Sequence, residues 1–453
     1  MTQESRLVRN PISIVGAILT TVSAVVFLVV FLTDILGFHT NPYLGIVFFF
    51  ILPAIFVIGL VLIPIGARAE RRRRAAGKAP LEWPRLDLND PAHRRTVLIV
   101  SAVTLANVAI VSMAAYRGIE YMDTVSFCGQ VCHTPMKPEF VAHEGQPHAN
   151  VSCVACHVAP GAPGFTRAKI SGTRQLVAIA MNSFPRPIVA HPDRLLPSTA
   201  SCERCHWPEQ FHGDRVRRVV EFGDDEKNTQ SVTTIRVHVG GGNTREGKAT
   251  GIHWHMNVGN TIEYIATDTE RQNIPYVRLT DGQGHVREYV AAGYTREQFA
   301  NAETRRMDCT DCHNRPNHAI DPTPEKAVNR AMAIGDIPPG LPFVHREAVK
   351  ALKGKYETET AAMAGIERSL REFYTAQPQL ASAHENQIDG AVAAVQNIYR
   401  HDVFPEMHVT FGTYPNNIGH IDSPGCFRCH DDTHAATDGK KIGQDCETCH
   451  AIE

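Results

Sequence analysis

The segment Cys153-Val-Ala-Cys156-His157 is one of six in which two closely spaced cysteines are followed directly by a histidine. Together the six motifs, which we number 1 to 6 in chain order, contain all 12 cysteines of the 453-residue chain. Motif 1 has three residues between its cysteines, and the other motifs have two. The paired cysteines are Cys128 and Cys132, Cys153 and Cys156, Cys202 and Cys205, Cys309 and Cys312, Cys426 and Cys429, and Cys446 and Cys449.

Two thiols at this spacing can each form a thioether with a vinyl group of one haem, and the adjacent histidine then reaches the iron. The pattern therefore predicts six covalently bound haem c groups. Paired cysteines can also bind zinc or form disulfides, but neither arrangement needs a histidine directly after every second cysteine. The motif histidines predicted to ligate iron are His133, His157, His206, His313, His430 and His450.

Further axial ligands have to come from outside the motifs, because each motif supplies only one. The chain has 23 histidines, and several lie close to a motif. Met136, just after His133, is a candidate thioether ligand of the first haem. His253 and His255 flank Trp254 in a β-rich region, where iron ligation and a plain position on a sheet face fit the sequence equally well. The candidate distal ligands near motifs are His148, His318, His408, His420 and His434.

Three apolar runs precede motif 1, at about 12–36, 43–66 and 96–116. Each is long enough as a helix to cross a bilayer, so the sequence predicts three transmembrane helices. No small-residue cleavage site follows the first run, which we therefore interpret as a retained helix and not a signal peptide. The segment between the second and third runs is strongly basic, which predicts a cytoplasmic N-terminus and a periplasmic haem domain at the inner membrane.

The predicted fold class is a membrane-anchored multihaem cytochrome c, with three transmembrane helices followed by a loop-rich, mainly α haem domain with a β insert. Alternating apolar residues around 231–239, 261–266, 276–280 and 286–290 predict the strands of this insert. The predicted organisation is a membrane anchor over 1–118, a haem core with motifs 1 to 3 over 119–206, the β-rich insert over 207–305, the fourth haem segment over 306–322, a helical segment over 323–400 and a C-terminal dihaem segment over 401–453.

Parts of this pattern resemble the NapC/NirT family of membrane-anchored multihaem quinol dehydrogenases, with an NrfH-like haem core. The resemblance rests on 128–136, 148–157, 168–175 and 309–318. It implies that His148 ligates the fourth haem and His318 the third. It also implies that the first haem lies beside a quinol site at the membrane surface, with a methionine near its motif.

The chain departs from this family in several respects. Family members have one anchor helix, a shorter first motif and a four-haem core, whereas here three apolar runs, an insert and two further motifs are present. Gln175 stands where family members place an acidic residue near the first haem, which removes the usual proton acceptor. The candidate residues of a quinol site are Glu120, Lys137, Glu139, Lys169, Arg174 and Gln175.

The formal net charge of −2 argues against a nucleic-acid-binding protein. No phosphate-binding or dinucleotide-binding loop is present, since Gly240-Gly-Gly lacks the required pattern. We therefore expect a hexahaem cytochrome that acts as a quinol dehydrogenase. It would take electrons from the membrane quinol pool and pass them to a periplasmic cytochrome or reductase, alone or in an oligomer or larger complex. Two alternatives stay open: an electron-conduit subunit without its own quinone site, and a haem-based terminal reductase, which the ample supply of histidines disfavours.

Overall fold

The computed structural model describes residues 10–35, 52–79, 87–189, 196–241, 250–256 and 259–453. The chain divides into two compact units. The first unit contains Met1–Met122 and Val158–Arg174, and the second contains Asp123–His157 and Gln175–Glu453. Motifs 1 to 6 therefore all belong to the second unit, which we call the motif unit.

The α-helices in chain order are α1 Pro11–Ile35, α2 Leu52–Ala75, α3 Pro91–Met122, α4 His133–Glu144, α5 Cys153–His157, α6 Gly161–Ala180, α7 Cys309–Cys312, α8 Pro324–Ile334, α9 Val344–Leu352, α10 Glu359–Thr375, α11 Pro378–Ala383, α12 Glu385–Asp402 and α13 Cys446–Cys449. The strands are β1 Arg215–Phe222, β2 Gln230–Val237, β3 Thr261–Ile265, β4 Tyr276–Thr280, β5 Val286–Val290, β6 Arg305–Arg306 and β7 His450–Ile452.

In the first unit, helices α1 and α2 pack against each other through small residues. A Cβ atom on Gly59 would lie 2.5 Å from the hydroxyl oxygen of Thr20, and a Cβ on Gly16 would lie 2.7 Å from the Gly59 carbonyl oxygen. The hydroxyl of Ser13 also donates a hydrogen bond to the Ile63 carbonyl at 2.9 Å. Glycine is required at this contact because any side chain would push the two backbones apart.

The prediction of three transmembrane helices is wrong. Within the residues that the structure describes, none of the helices is both long enough and apolar enough to cross a membrane. The predicted spans 12–36 and 43–66 extend into residues 36–51, which lie outside the described residues. Helix α2 includes Glu70 and the arginines at 68 and 71–74 within its bounds, and charged side chains are costly in hydrocarbon.

In the motif unit, two antiparallel sheets contain the strands of the 207–305 region. One sheet has the order β5-β4-β3-β6, and the other has the order β1-β2-β7. Strand β7 begins at His450, the histidine of motif 6, and pairs with β2 so that His450 lies opposite Val237. The last motif is therefore fixed to a sheet whose other strands come from the middle of the chain.

The main hydrophobic core of the motif unit lies among α8, α9, α10 and α12. Val328, Val344, Ile366, Leu370 and Val395 are fully buried there. Burying a side chain of this size stabilises the fold by about 1.5–3 kcal/mol relative to leaving it exposed. This core gives the motif unit a rigid helical body that does not consist of motif residues.

Candidate haem sites

Each of motifs 2 to 6 forms a short helical turn. In motif 4, α7 starts after Asp308, whose side chain accepts a hydrogen bond from the Thr310 N–H. The amide of the motif histidine bonds to the carbonyl of the first cysteine in motif 4, where His313 N lies 2.8 Å from Cys309 O. One turn of helix places residues i, i+3 and i+4 on one face, so both thiols and the imidazole point to the same side.

Cysteines of consecutive motifs are neighbours in space. The thiols of Cys128 and Cys153 are hydrogen-bonded, as are those of Cys202 and Cys309. Electrostatic interactions link the other consecutive motifs, through the cysteine pairs 156 and 202, 312 and 426, and 426 and 449. Motifs 1 to 6 therefore form a continuous series in the order of the sequence.

None of the 12 cysteines is in a disulfide. In the part of the chain that the structure describes, no group of three or more histidine, cysteine or acidic side chains is arranged to hold a metal ion.

Five motif histidines each face a second histidine from outside the motifs. The distances between their ring centroids run from 5.7 to 6.4 Å. Two imidazoles that ligate one iron through Nε2 place their ring centres about 6 Å apart, so these pairs fit a haem iron between them. The pairs are His157 with His318, His206 with His148, His313 with His253, His430 with His255 and His450 with His420.

Hydrogen bonds fix the orientation of several of these rings. His318 Nδ1 lies 3.0 Å from the Glu139 carbonyl oxygen, and His430 Nδ1 lies 2.9 Å from the Gly443 carbonyl oxygen. A carbonyl can only accept, so Nδ1 carries the proton and the Nε2 lone pair is free for a metal. This second hydrogen bond is typical of histidines that bind metals.

Burial also favours the neutral form of these rings, which is the form that ligates iron. Removal from water penalises the imidazolium, and a lower pKa follows. Burial lowers the pKa of each of the ring histidines His157, His253, His255, His313 and His318.

The structure distributes the predicted distal ligands unevenly. His148, His318 and His420 each face a motif histidine, but His148 faces His206 and His318 faces His157, which are other partners than the family resemblance implies. His408 is exposed. His434 is buried, with Nδ1 2.9 Å from Asp431 Oδ1 and Nε2 2.7 Å from the Ile274 carbonyl oxygen.

Motif 1 differs from the others. Its first cysteine, Cys128, lies within a π-helical turn over Phe127–Val131, Cys132 follows that turn directly, and α4 begins at His133. The Nδ1 atom of His133 lies 3.2 Å from the Thr134 hydroxyl. Met136 is half-buried on α4. The extra residue of motif 1 thus changes the local turn from the α or 3₁₀ form of the other motifs to a wider one.

His253 and His255 are the ring partners that sequence reasoning left undecided. They lie on a 3₁₀ turn, Ile252–Met256, and face motifs 4 and 5. The signal in the sequence was the pair itself, two histidines one residue apart in a single segment. Their partners lie far away in the chain, so spacing could not reveal the pairing.

The candidate quinol-site residues are divided between the units. In the first unit, Lys169 Nζ lies 3.2 Å from Met122 Sδ and 4.8 Å from the centroid of the Phe165 ring, and Glu120 pairs with Arg117 at 2.8 Å. Arg174 is the last residue of that unit.

The other candidates lie in the motif unit. There, Lys137 pairs with Glu359 at 2.6 Å, and a carboxylate oxygen of Glu139 lies 3.1 Å from Arg315. Gln175 also belongs to this unit. Glu139 thus lies beside His318, and its carboxylate is paired with the guanidinium of Arg315.

These motifs and histidine pairs define a c-type cytochrome that carries covalently bound haem c and works in electron transfer. The chain is 40% identical over 449 residues to the cytochrome c-type protein ImcH of Geobacter sulfurreducens. The alignment covers 98% of this chain and 88% of ImcH. The chain belongs to this family of NapC/NirT-type cytochromes, and the resemblance found in the sequence is confirmed.

A second relative matches a shorter part. The chain is 35% identical over 126 residues to the cytochrome c nitrite reductase subunit NrfH of Nitratidesulfovibrio vulgaris, over 26% of this chain and 71% of that subunit. No family model matches the chain, and no solved structure matches it. The similarity to ImcH therefore extends over nearly the whole chain, whereas the similarity to NrfH is limited to about a quarter of it.

Proposed function

We propose that the protein is a hexahaem cytochrome that oxidises quinol at the periplasmic face of the cytoplasmic membrane and relays the electrons to a periplasmic acceptor protein. The observation that carries the proposal is the spatial order of the motifs, in which each one neighbours the next from motif 1 to motif 6. Each haem c, when bound, supplies a one-electron redox centre. A continuous series of such centres suits transfer between two separate partners better than catalysis at one haem.

The five histidine pairs support relay over terminal reduction. A haem that reduces a small molecule needs a vacant iron position. Motif histidines 157, 206, 313, 430 and 450 each face a second imidazole, which would fill that position. Among the described residues only His133 of motif 1 faces no second histidine, and Met136 is its candidate ligand. We assign the entry point for electrons to motif 1 because it follows the third apolar run most closely in the sequence.

Quinol oxidation releases two electrons and two protons, so the reaction needs a hydrogen-bond donor and a base. Lys169 is the best donor, because among the described residues its ammonium contacts a thioether and an aromatic ring and no carboxylate. Arg174 lies on the same helix, and half-exposed Glu120 is a candidate base in the same unit. Lys137 and Glu139 are weaker candidates, since each is held in an ion pair with a residue far away in the chain, whereas the pair of Glu120 with Arg117 is exposed and lies within one helical turn. Gln175 is a weaker candidate because its amide does not take up a proton.

The experiment measures reduction of the purified protein by a menaquinol analogue and, separately, by dithionite. We expect a denatured mass that corresponds to six haems per chain. We expect Lys169→Ala to slow quinol-driven reduction at least tenfold, which is about 1.4 kcal/mol of transition-state stabilisation, and to leave reduction by dithionite unchanged. Lys353→Ala is the matched control, because Lys353 pairs with Glu325 in the helical body of the motif unit.

Each other outcome has a definite meaning. Equal slowing with both reductants would show that Lys169→Ala had damaged haem assembly. An unchanged rate with quinol would remove the site from Lys169. A wild-type protein that dithionite reduces and quinol does not would exclude quinol oxidation and leave an electron-conduit subunit.

A further inference from the structure

We propose that the turn Ile252–Met256 supplies the distal iron ligands of two haems, with His253 serving the haem of motif 4 and His255 serving the haem of motif 5. The inference rests on the proposed function only in taking both motifs to carry haem. It assigns a role to the β-rich insert, whose turn would join the NrfH-like part of the protein to its C-terminal extension.

The ring geometry supports both assignments. His253 and His313 have centroids 6.4 Å apart and planes within 2° of parallel. His255 and His430 have centroids 5.7 Å apart and planes 84° apart. Both separations suit two imidazoles on one iron, for which ring centres about 6 Å apart are needed. The angle between the ring planes differs between the two pairs, but rotation of a ring about its iron–nitrogen bond leaves the distance between the ring centres unchanged.

The hydrogen bonds of the two rings select the nitrogen that would bind. His253 Nδ1 lies 3.1 Å from the Val239 carbonyl oxygen, and His255 Nδ1 lies 2.7 Å from the Ile252 carbonyl oxygen. Both Nδ1 atoms must therefore carry the proton. Nε2 is left with its lone pair on each ring, which is the arrangement of a histidine ligand whose second nitrogen is anchored.

The backbone holds the turn in place. The amide of Ile252 donates to the His238 carbonyl at 2.9 Å, and the amide of His253 donates to the Val239 carbonyl at 3.0 Å. Gly251 has a φ of 71°, and a Cβ there would lie 2.4 Å from the His238 carbonyl oxygen. Only glycine fits at position 251, so the backbone conformation that leads into the turn depends on this residue.

The spacing of the two histidines explains why one turn can serve two haems. Motifs 4 and 5 are neighbours, because Cys312 interacts with Cys426 and Arg428 donates to the Asp311 carbonyl at 2.7 Å. Two histidines separated by one residue would therefore serve the haems of two neighbouring motifs. A single rigid turn would then hold both haems at a constant separation, which is what electron transfer between them requires.

The test uses His253→Ala, His255→Ala and the double variant, with electron paramagnetic resonance of the oxidised protein. We expect each single variant to convert one low-spin haem to high spin and the double variant to convert two, with six haems still attached. Added imidazole should restore the low-spin signal. His238→Ala and His285→Ala are matched controls from the same insert, since their Nδ1 atoms bond to Asp214 and Asp281, and we expect no change in either.

A second pair of variants covers failure of the alanine variants to fold. His253→Met and His255→Met keep an iron ligand of a different type, and we expect a low-spin haem with a raised reduction potential. Spectra and potentials identical to wild type would overturn the proposal. Quinol-driven reduction, measured on the same samples, tests the proposed function separately, since it can persist when these ligand assignments fail.

Discussion

Arg428, inside motif 5, donates a hydrogen bond from Nη2 to the carbonyl oxygen of Asp311, inside motif 4, at 2.7 Å. The same guanidinium donates from Nη1 to the Arg271 carbonyl at 3.0 Å and from Nε to the Gly425 carbonyl at 2.7 Å. Arg428 is only 9% exposed. One planar cation thus ties two neighbouring motifs and a loop together, which a flexible ammonium group cannot do in the same way.

We expect Arg428→Lys to destabilise the motif unit by about 3 kcal/mol, because hydrogen bonds from a charged donor contribute about 1.5–3 kcal/mol each and lysine can satisfy only part of the set. Denaturation followed by circular dichroism measures the change. Arg371→Lys is the control, since Arg371 is 45% exposed and pairs with Glu367 and Asp389 at the surface. Equal losses in the two variants would contradict a bridging role for Arg428.

We expect His318→Ala to convert one haem from low to high spin and His143→Ala to leave the spin states unchanged. The rings of His143 and His157 lie equally far from His318, at 6.2 Å, so distance alone does not separate them. The hydrogen bonds do, because His143 Nε2 is occupied by the Val151 carbonyl at 3.0 Å, whereas His318 uses Nδ1. A high-spin signal from His143→Ala would reverse this assignment, and electron paramagnetic resonance measures it.

We expect His434→Ala to destabilise the protein by about 1–3 kcal/mol, because it removes the hydrogen-bond donor of the buried Ile274 carbonyl, and to create no high-spin haem. Partial burial acts to raise the pKa of Asp431, but hydrogen bonds from His434 and Thr433 lower it to about 2. His434 thus has an ionised partner and no free nitrogen. The comparison is His420→Ala, which should give one high-spin haem because His420 faces His450. The prediction fails if His434→Ala changes the spin state.

We expect Asp321→Asn to flatten the dependence of thermal stability on pH between about pH 4 and 6. Burial and neighbouring Asp402 raise the pKa of Asp321 to about 6, against the opposing charges of Arg330, His401 and Lys326. An aspartate in the unfolded chain loses its proton near pH 3.9. The folded state therefore holds more protons in this window, and stability falls as the pH rises through it.

Melting temperatures of wild type and Asp321→Asn, measured from about pH 4 to about pH 8, test this expectation. The wild type should lose more stability than the variant as the pH rises from 4 to 6, and the two curves should run parallel above pH 7. Asp389→Asn, which removes an exposed carboxylate paired with Arg371, is the control. Parallel curves across the whole range would show that Asp321 titrates normally.

The prediction of three transmembrane helices failed for an identifiable reason. A run of apolar residues reports local composition only, whereas a span also depends on where the helix begins and ends. Helix α2 continues through the arginines after Ile65, so its bounds differ from those of the apolar run at 43–66. The apolar pattern therefore predicted helices near the correct residues, but it did not show that α2 also includes charged residues beyond the apolar run.

The sequence by itself determined the haem-attachment motifs, because both thiols and the proximal imidazole lie on one turn of backbone and local spacing is sufficient to recognise them. It also identified the family, since the segments 128–136, 148–157, 168–175 and 309–318 resemble those of the NapC/NirT family. Only the tertiary structure brought a second histidine to five of the motif histidines. His253 meets His313 and His420 meets His450 because sheets and turns bring distant segments together. Which of 23 histidines faces which motif depends on packing between residues far apart in the chain, and no local pattern records it.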